Sequence, residues 1–171
     1  MNKVDLKKTV IPKSDQLNAD DLIEPKTICI RDVKAGSDET QPVNIYYYGD
    51  NNKPYKPCKT VRRILIQLWG SEGTEFINRK LTLYRDDSVK WGGVEVGGIR
   101  VSHASHINEP KKVLVTMAKN SRRPVTIYPL IGKKITDIEG AKTAIKEGKY
   151  TLEQILATYD LSDEQLRELT S

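Results

Sequence analysis

The residues of this chain best suited to chemistry are cations set beside aromatic rings. Lys53-Pro54-Tyr55-Lys56-Pro57-Cys58-Lys59 leads into Arg62-Arg63, and Tyr84-Arg85 and Lys90-Trp91 repeat the pairing of ring and cation. Phosphates attract Lys and Arg, whereas unpaired bases stack on aromatic faces, each for about 1–3 kcal/mol whatever the base. Trp91 precedes Gly92-Gly93, a turn tip where a large ring finds little to pack against, and Arg100, Lys119, Arg122 and Arg123 add charge at strand or loop positions. On this pattern the candidate nucleic-acid contacts are Tyr55, Lys56, Lys59, Arg62, Arg63, Arg85, Lys90, Trp91, Arg100, Arg122 and Arg123.

Each candidate has a plainer reading. Arg62 and Arg63 also suit the solvated face of an amphipathic helix, and Trp69 adjoins that helix's apolar stripe, where core is expected. Tyr46, Tyr47 and Tyr48 are consecutive, so at least one must face each side of a sheet.

Other chemistries find less support. His103 and His106 give His-x-x-His, two ligands where a zinc site needs three or four, so they read as turn residues or weak phosphate contacts. Asp137 with Glu147-Gly148-Lys149 mimics the carboxylate order of some metal-dependent nucleases, but in a stretch that reads as helical. No Walker-type loop, serine elbow or Cys-His nucleophile setting is present. The expectation is a binding protein, not an enzyme, with no cofactor and no metal.

The elements that must carry these residues read as β structure with a helical tail. Residues 27–33, 42–48, the short extended piece Tyr55–Cys58 held out of helix by Pro54 and Pro57, and residues 80–85, 94–96, 99–101, 113–117 and 124–128 are strand-like, divided by turn clusters such as Gly49-Asp50-Asn51-Asn52. Residues 60–69 form the one clear helix of the body, with Val61, Ile64, Leu65 and Leu68 in one stripe and Gly70 ending it. Gly97-Gly98 predicts a bulge or a close approach of another backbone. Three strands, a helix and more strands is the order of an OB-fold, a five-stranded or larger antiparallel barrel with its helix between strands three and four. Residues 1–24, polar and broken by Pro12, read as a flexible arm with a short turn near Asn18–Leu22, and residues 25–135 as the barrel. In 136–171, Thr136…Glu139, Thr151…Gln154 and Ser162…Gln165 each match a capping box, which predicts three short helices.

Charge follows the same division. Residues 53–134 hold 17 Lys and Arg against 6 Asp and Glu, whereas 136–171 hold 4 against 8. A basic body predicts a polyanionic partner. No apolar run approaches the roughly 20 residues of a membrane helix, and the N-terminus lacks a signal-peptide pattern. With Cys29 and Cys58 as its two cysteines, the chain fits a reducing cytoplasm, Cys29 as a buried thiol between Ile28 and Ile30.

Lys56-Pro57-Cys58-Lys59, Leu68-Trp69-Gly70, Leu81-Thr82-Leu83-Tyr84-Arg85-Asp86, Lys90-Trp91-Gly92-Gly93 and Gly97-Gly98-Ile99-Arg100-Val101-Ser102-His103 resemble a family of small bacteriophage and prophage proteins. That resemblance implies an OB-like domain acting on single-stranded DNA in phage replication or recombination, in the cytoplasm of an infected or prophage-carrying bacterium. It supplies no catalytic residue. The acidic tail would then recruit a phage or host replication or recombination protein, or compete for the basic groove. The rival expectation is a phage protein that binds and inhibits a host defence or replication factor.

Overall fold

The computed structural model describes Leu6, Val10 and residues 14–118 and 120–171. Runs of β-branched and aromatic residues build the main strands: β1 (Lys26–Ala35), β2 (Val43–Tyr47), β3 (Lys80–Asp86), β6 (Gly98–Ala104), β7 (Lys111–Ala118) and β8 (Ser121–Pro129). Two strands of two residues each, β4 (Lys90–Trp91) and β5 (Val94–Glu95), form a separate hairpin between β3 and β6. Helix α1 (Lys59–Trp69) follows β2. The tail holds β9 (Lys133–Lys134), α2 (Ile138–Lys146), α3 (Leu152–Thr158), β10 (Tyr159–Asp160) and α4 (Asp163–Thr170).

The six long strands make one sheet in the order β2-β1-β3-β6-β8-β7, antiparallel except for the β6–β8 pair. The chain is therefore mixed α/β, with a large, mostly antiparallel sheet. α1 lies between the second and third strands of that sheet, a correction to its expected place between the third and fourth. The piece at Tyr55 counted as a strand is a single bridge to Ile45, with N–H to O distances of 2.8 Å in both directions. Pro54 and Pro57 lack N–H donors and stop the ladder there. β2 and β7 remain edges; the bridge at Tyr55 holds one, and α1 packs on the other, where Thr60 donates to the Thr116 carbonyl at 3.4 Å.

One sheet face, with α1, encloses the main core of Ile28, Ile30, Ile45, Tyr47, Ile64, Leu65, Leu81, Leu83, Val115 and Ile127. Trp69 belongs to it, with its indole N–H donating to the Ser105 carbonyl at 2.9 Å. Tyr47 is buried while Tyr46 and Tyr48 are half-buried beside it, as consecutive strand positions require. Leu17 and Leu22 are also core residues, and the Leu17 N–H donates to Pro54 O at 3.0 Å. Over residues 14–22 the expected flexible arm is thus a folded segment with a short 3-10 turn at Ala19–Asp21, held by two apolar anchors. Residues 1–5, 7–9 and 11–13 of that arm lie outside the described residues.

On the opposite face, the tail covers β1 and the start of β3. Cys29 is buried against Leu156 and Leu166, and burial pushes its thiol up to about 11. Lys80, buried as well, donates to the Tyr159 carbonyl and to Asp160 Oδ1 at 2.8 Å. Two capping boxes form as expected, at Thr151 with Gln154 and at Ser162 with Gln165. The first does not: Asp137 caps α2 in place of Thr136, its carboxylate accepting from the Gly140 N–H at 2.8 Å. A carboxylate one residue closer to the helix displaces the weaker hydroxyl cap.

Candidate nucleic-acid interface

Strand alternation decides which residues the uncovered part of the outer face presents. In β8, Ile127 is buried in the core, so Arg122, Pro124, Thr126 and Tyr128 point outward. Opposite them in β7, Thr116, Leu114 and Lys112 pair with Arg122, Pro124 and Thr126 and share that face. In β6, His103 pairs with Tyr128, and the two rings lie 5.7 Å apart at 40°. Tyr128 is 50% exposed and Leu114 56% exposed, because the tail helices stop at β1 and β3. The result is a shallow apolar and aromatic strip with Lys112 and Arg122 along it.

A second row of cations runs along the seam between α1 and β7. Thr60 contacts β7, and Arg63, three residues on, lies on the same side of the helix. Lys59 precedes Arg63 by four residues and shares its solvent-facing surface. Arg123, opposite Val115, is exposed on the other face of β8 from Arg122. Arg62 points the other way, toward β1 and β2, where it donates to the Thr40 carbonyl at 3.4 Å. None of Lys59, Arg63, Lys111, Lys112, Arg122 and Arg123 takes part in an ion pair among the described residues.

The remaining candidates are placed differently. Tyr55 is 2% exposed and belongs to the core, so its ring cannot stack on a base, which corrects its expected role. Lys56 is half-buried and paired with Asp15 at 3.1 Å, and its ammonium holds the Asp15 carboxyl below the usual range. Arg85 is held by Asp87 and Asp20, which raise its already high pKa. Its guanidinium also lies against Gly97, whose φ of +76° and missing side chain leave room for it. The Gly97-Gly98 signal marks both a backbone approach, with the Val96 and Gly97 N–H groups donating to the Val89 carbonyl at 3.0 and 3.1 Å, and the close packing of the Arg85 and Val89 side chains. Arg100 is half-buried beside Asp86 at 3.7 Å and donates to Cys58 Sγ at 3.4 Å.

Lys90 and Trp91 sit on the β4–β5 hairpin, outside the main sheet, with Lys90 facing Glu95 at 3.8 Å. Trp91 is 80% exposed, as a turn-tip ring should be. Lys59, Arg63, Arg122 and Arg123 are therefore exposed without an ion pair among the described residues, Arg122 on the outer face of β8 and Arg123 on its other face, whereas Lys56, Arg85, Lys90 and Arg100 lie beside carboxylates.

Sequence reasoning missed Lys111, Lys112, Leu114 and Tyr128, and His103, expected as a turn residue or weak phosphate contact, lies within β6. The signal for Tyr128 was available: alternation in Val125-Thr126-Ile127-Tyr128 puts it opposite two β-branched core residues. His106 occupies a turn with φ of +60°, and burial lowers its pKa. Asp137, Glu147 and Lys149 of the nuclease-like pattern are, respectively, a helix N-cap, a helix C-cap and a partner of Glu147 at 2.6 Å. The chain matches no protein-family model, no curated protein and no solved structure.

Proposed function

We propose that this chain is a single-stranded nucleic-acid-binding protein, with DNA as its expected ligand, working through the outer face of β6, β8 and β7 and the adjoining α1 seam. One observation carries the reading. The part of the sheet that the tail leaves open presents an exposed Tyr128 and Leu114 between cations that no carboxylate neutralises. Stacking needs an accessible ring, and a cation without a carboxylate partner can meet a phosphate with no ion pair to break. Trp91, on its own hairpin, offers a second ring that a strand could reach. The reading includes an OB-like origin for the sheet, supported by the way residues 55–60 span its two edges, and a role in phage replication or recombination.

The test is fluorescence anisotropy with unphosphorylated single-stranded and duplex oligonucleotides, with and without Mg²⁺. Binding of the single strand without cleavage is the expected result. Failure to bind either form overturns the proposal, and Mg²⁺-dependent cleavage would make the protein an enzyme. The inhibitor reading has one observation of its own: α2 has no fully buried residue, and a groove of about 720 Å³ between α2 and α3 is lined by Ile135, Ala141, Tyr150 and Ile155. A chain that binds no nucleic acid but loses a protein partner when residues 136–171 are removed would favour it.

A further inference from the structure

A second polar site lies away from the sheet face. Asn18, Gln41, Tyr55, Lys56, Cys58 and Arg100 surround a cavity of about 220 Å³. Tyr55, Lys56 and Arg100 supply its donors, because the Asn18 amide donates to Ser14 Oγ and Gln16 O and the Gln41 amide to Lys56 O. The Tyr55 hydroxyl is buried and has no hydrogen-bond partner among the described residues, although phenylalanine would fill the same core volume without that loss. Burial is the main cause that pushes its phenol up, with Cys58 next, so Tyr55 remains protonated.

Arg100 is 15% exposed, its Nε likewise lacks a hydrogen-bond partner, and its Nη1 donates to the thiol of Cys58, a weak acceptor. Lys56 is 16% exposed and held by Asp15, a carboxylate 84% exposed on the other partner's side. Cys58 is also the N-cap of the 11-residue α1 and gives it no side-chain cap, so the positive end of the helix dipole lies at the same place.

A buried phenol, a guanidinium and an ammonium around one cavity are a donor set for an oxyanion. The volume is below the roughly 300 Å³ at which pockets begin to hold drug-sized ligands, so a single phosphate-sized group fits and a whole nucleotide does not. Asp86 and Asp15 balance Arg100 and Lys56, and Asp15 is the one free to swing into solvent. We propose that this cavity binds a phosphate group, with Arg100 and Lys56 as its charge partners, the Tyr55 hydroxyl as a donor and Asp15 as the carboxylate it displaces.

Cys58 supplies the reporter. Its rate of alkylation by iodoacetamide in the full chain reads the cavity directly, because Cys29 is buried and silent. Inorganic phosphate, against chloride at matched ionic strength, slows alkylation of the wild type in a saturable way. Tyr55→Phe melts at the same or a higher temperature yet needs about tenfold more phosphate for half protection, the loss of one charge-assisted hydrogen bond. Arg100→Gln loses the protection, and Arg100→Lys retains part of it should the glutamine variant fold poorly. A 5′-phosphorylated oligonucleotide that protects at lower concentration than inorganic phosphate, where its unphosphorylated twin does not, identifies a strand end as the source. Equal protection by both phosphate forms identifies free phosphate. Absence of protection in the wild type, or equal protection in wild type and Tyr55→Phe, overturns the site. Either outcome leaves the sheet-face proposal untouched, because that reading is measured with unphosphorylated strands.

Discussion

Replacing Arg122 and Arg123 together by Gln should change the salt dependence of single-strand binding, whereas replacing Arg85 should not. Six exposed cations without carboxylate partners among the described residues lie on α1, β7 and β8, with Lys112 and Arg122 on the open face itself: Lys59, Arg63, Lys111, Lys112, Arg122 and Arg123. Each phosphate neutralised on a single strand contributes about −0.7 to the slope of log K against log salt. Six contacts therefore give a slope of about −4, and the double variant, with two fewer, about −3. Arg85 already holds two carboxylates, and an incoming phosphate would have to displace both, so Arg85→Gln leaves the slope near its wild-type value. The assay is anisotropy of a fluorescein-labelled oligothymidine titrated over a series of KCl concentrations. Both arginines of the pair are exposed, so melting curves should be unchanged and the slope difference cannot come from unfolding. The reasoning fails if the double variant keeps the wild-type slope, or if Arg85→Gln shifts it by as much.

Three other outcomes follow from the same geometry. Tyr128→Ala should weaken single-strand binding by about 1–3 kcal/mol, read by the same anisotropy assay, with little change in melting temperature because half the side chain is already solvated. Leu156→Ala should cost about 2–5 kcal/mol in urea unfolding, since Leu156 is 2% exposed and is the tail's main anchor on Cys29; a cost near zero would mean the tail is not docked there. The Cys29 thiol is raised to about 11 from an ordinary value of 9.0, so it holds its proton in the folded state after the unfolded chain has begun to lose it. Its contribution to stability is thus complete below about pH 9 and is lost as pH rises toward 11, and Cys29→Ala should flatten the fall in melting temperature over that window.

Much of the fold was legible because the signals are local. Alternation located all six long strands to within a few residues, and the Val61, Ile64, Leu65 stripe located α1. Ile28-Cys29-Ile30 carried a further message: three buried residues in a row require cover on both faces of the strand, and the tail supplies the second. What failed was non-local. The arm over residues 14–22 looked polar because only Leu17 and Leu22 anchor it, too few to leave a periodicity. The count of strands before α1 depended on whether Tyr55 pairs once or several times, which Pro54 and Pro57 decide only in company with Ile45.

The site was less legible, because a cation's availability is set by partners distant in sequence. Lys56 and Asp15 are 41 residues apart and Arg85 and Asp20 are 65 apart, so clustered charge in 53–85 looked free when much of it was already matched. Tyr55, flanked by lysines, resembled a stacking ring and proved to be core. The tail's acidity also takes on a different meaning once its place is known. With 8 acidic against 4 basic residues, it lies over β1 and β3 beside the open strip. Its main sheet contacts are with β1, through α3, and its Tyr159 and Asp160 hold Lys80 of β3. On the proposed reading the tail would set a boundary, with a polyanion repelled from the acidic helices and drawn toward β7. A strand bound by Tyr128 would therefore run along β8 toward Arg122, not across the sheet toward β1.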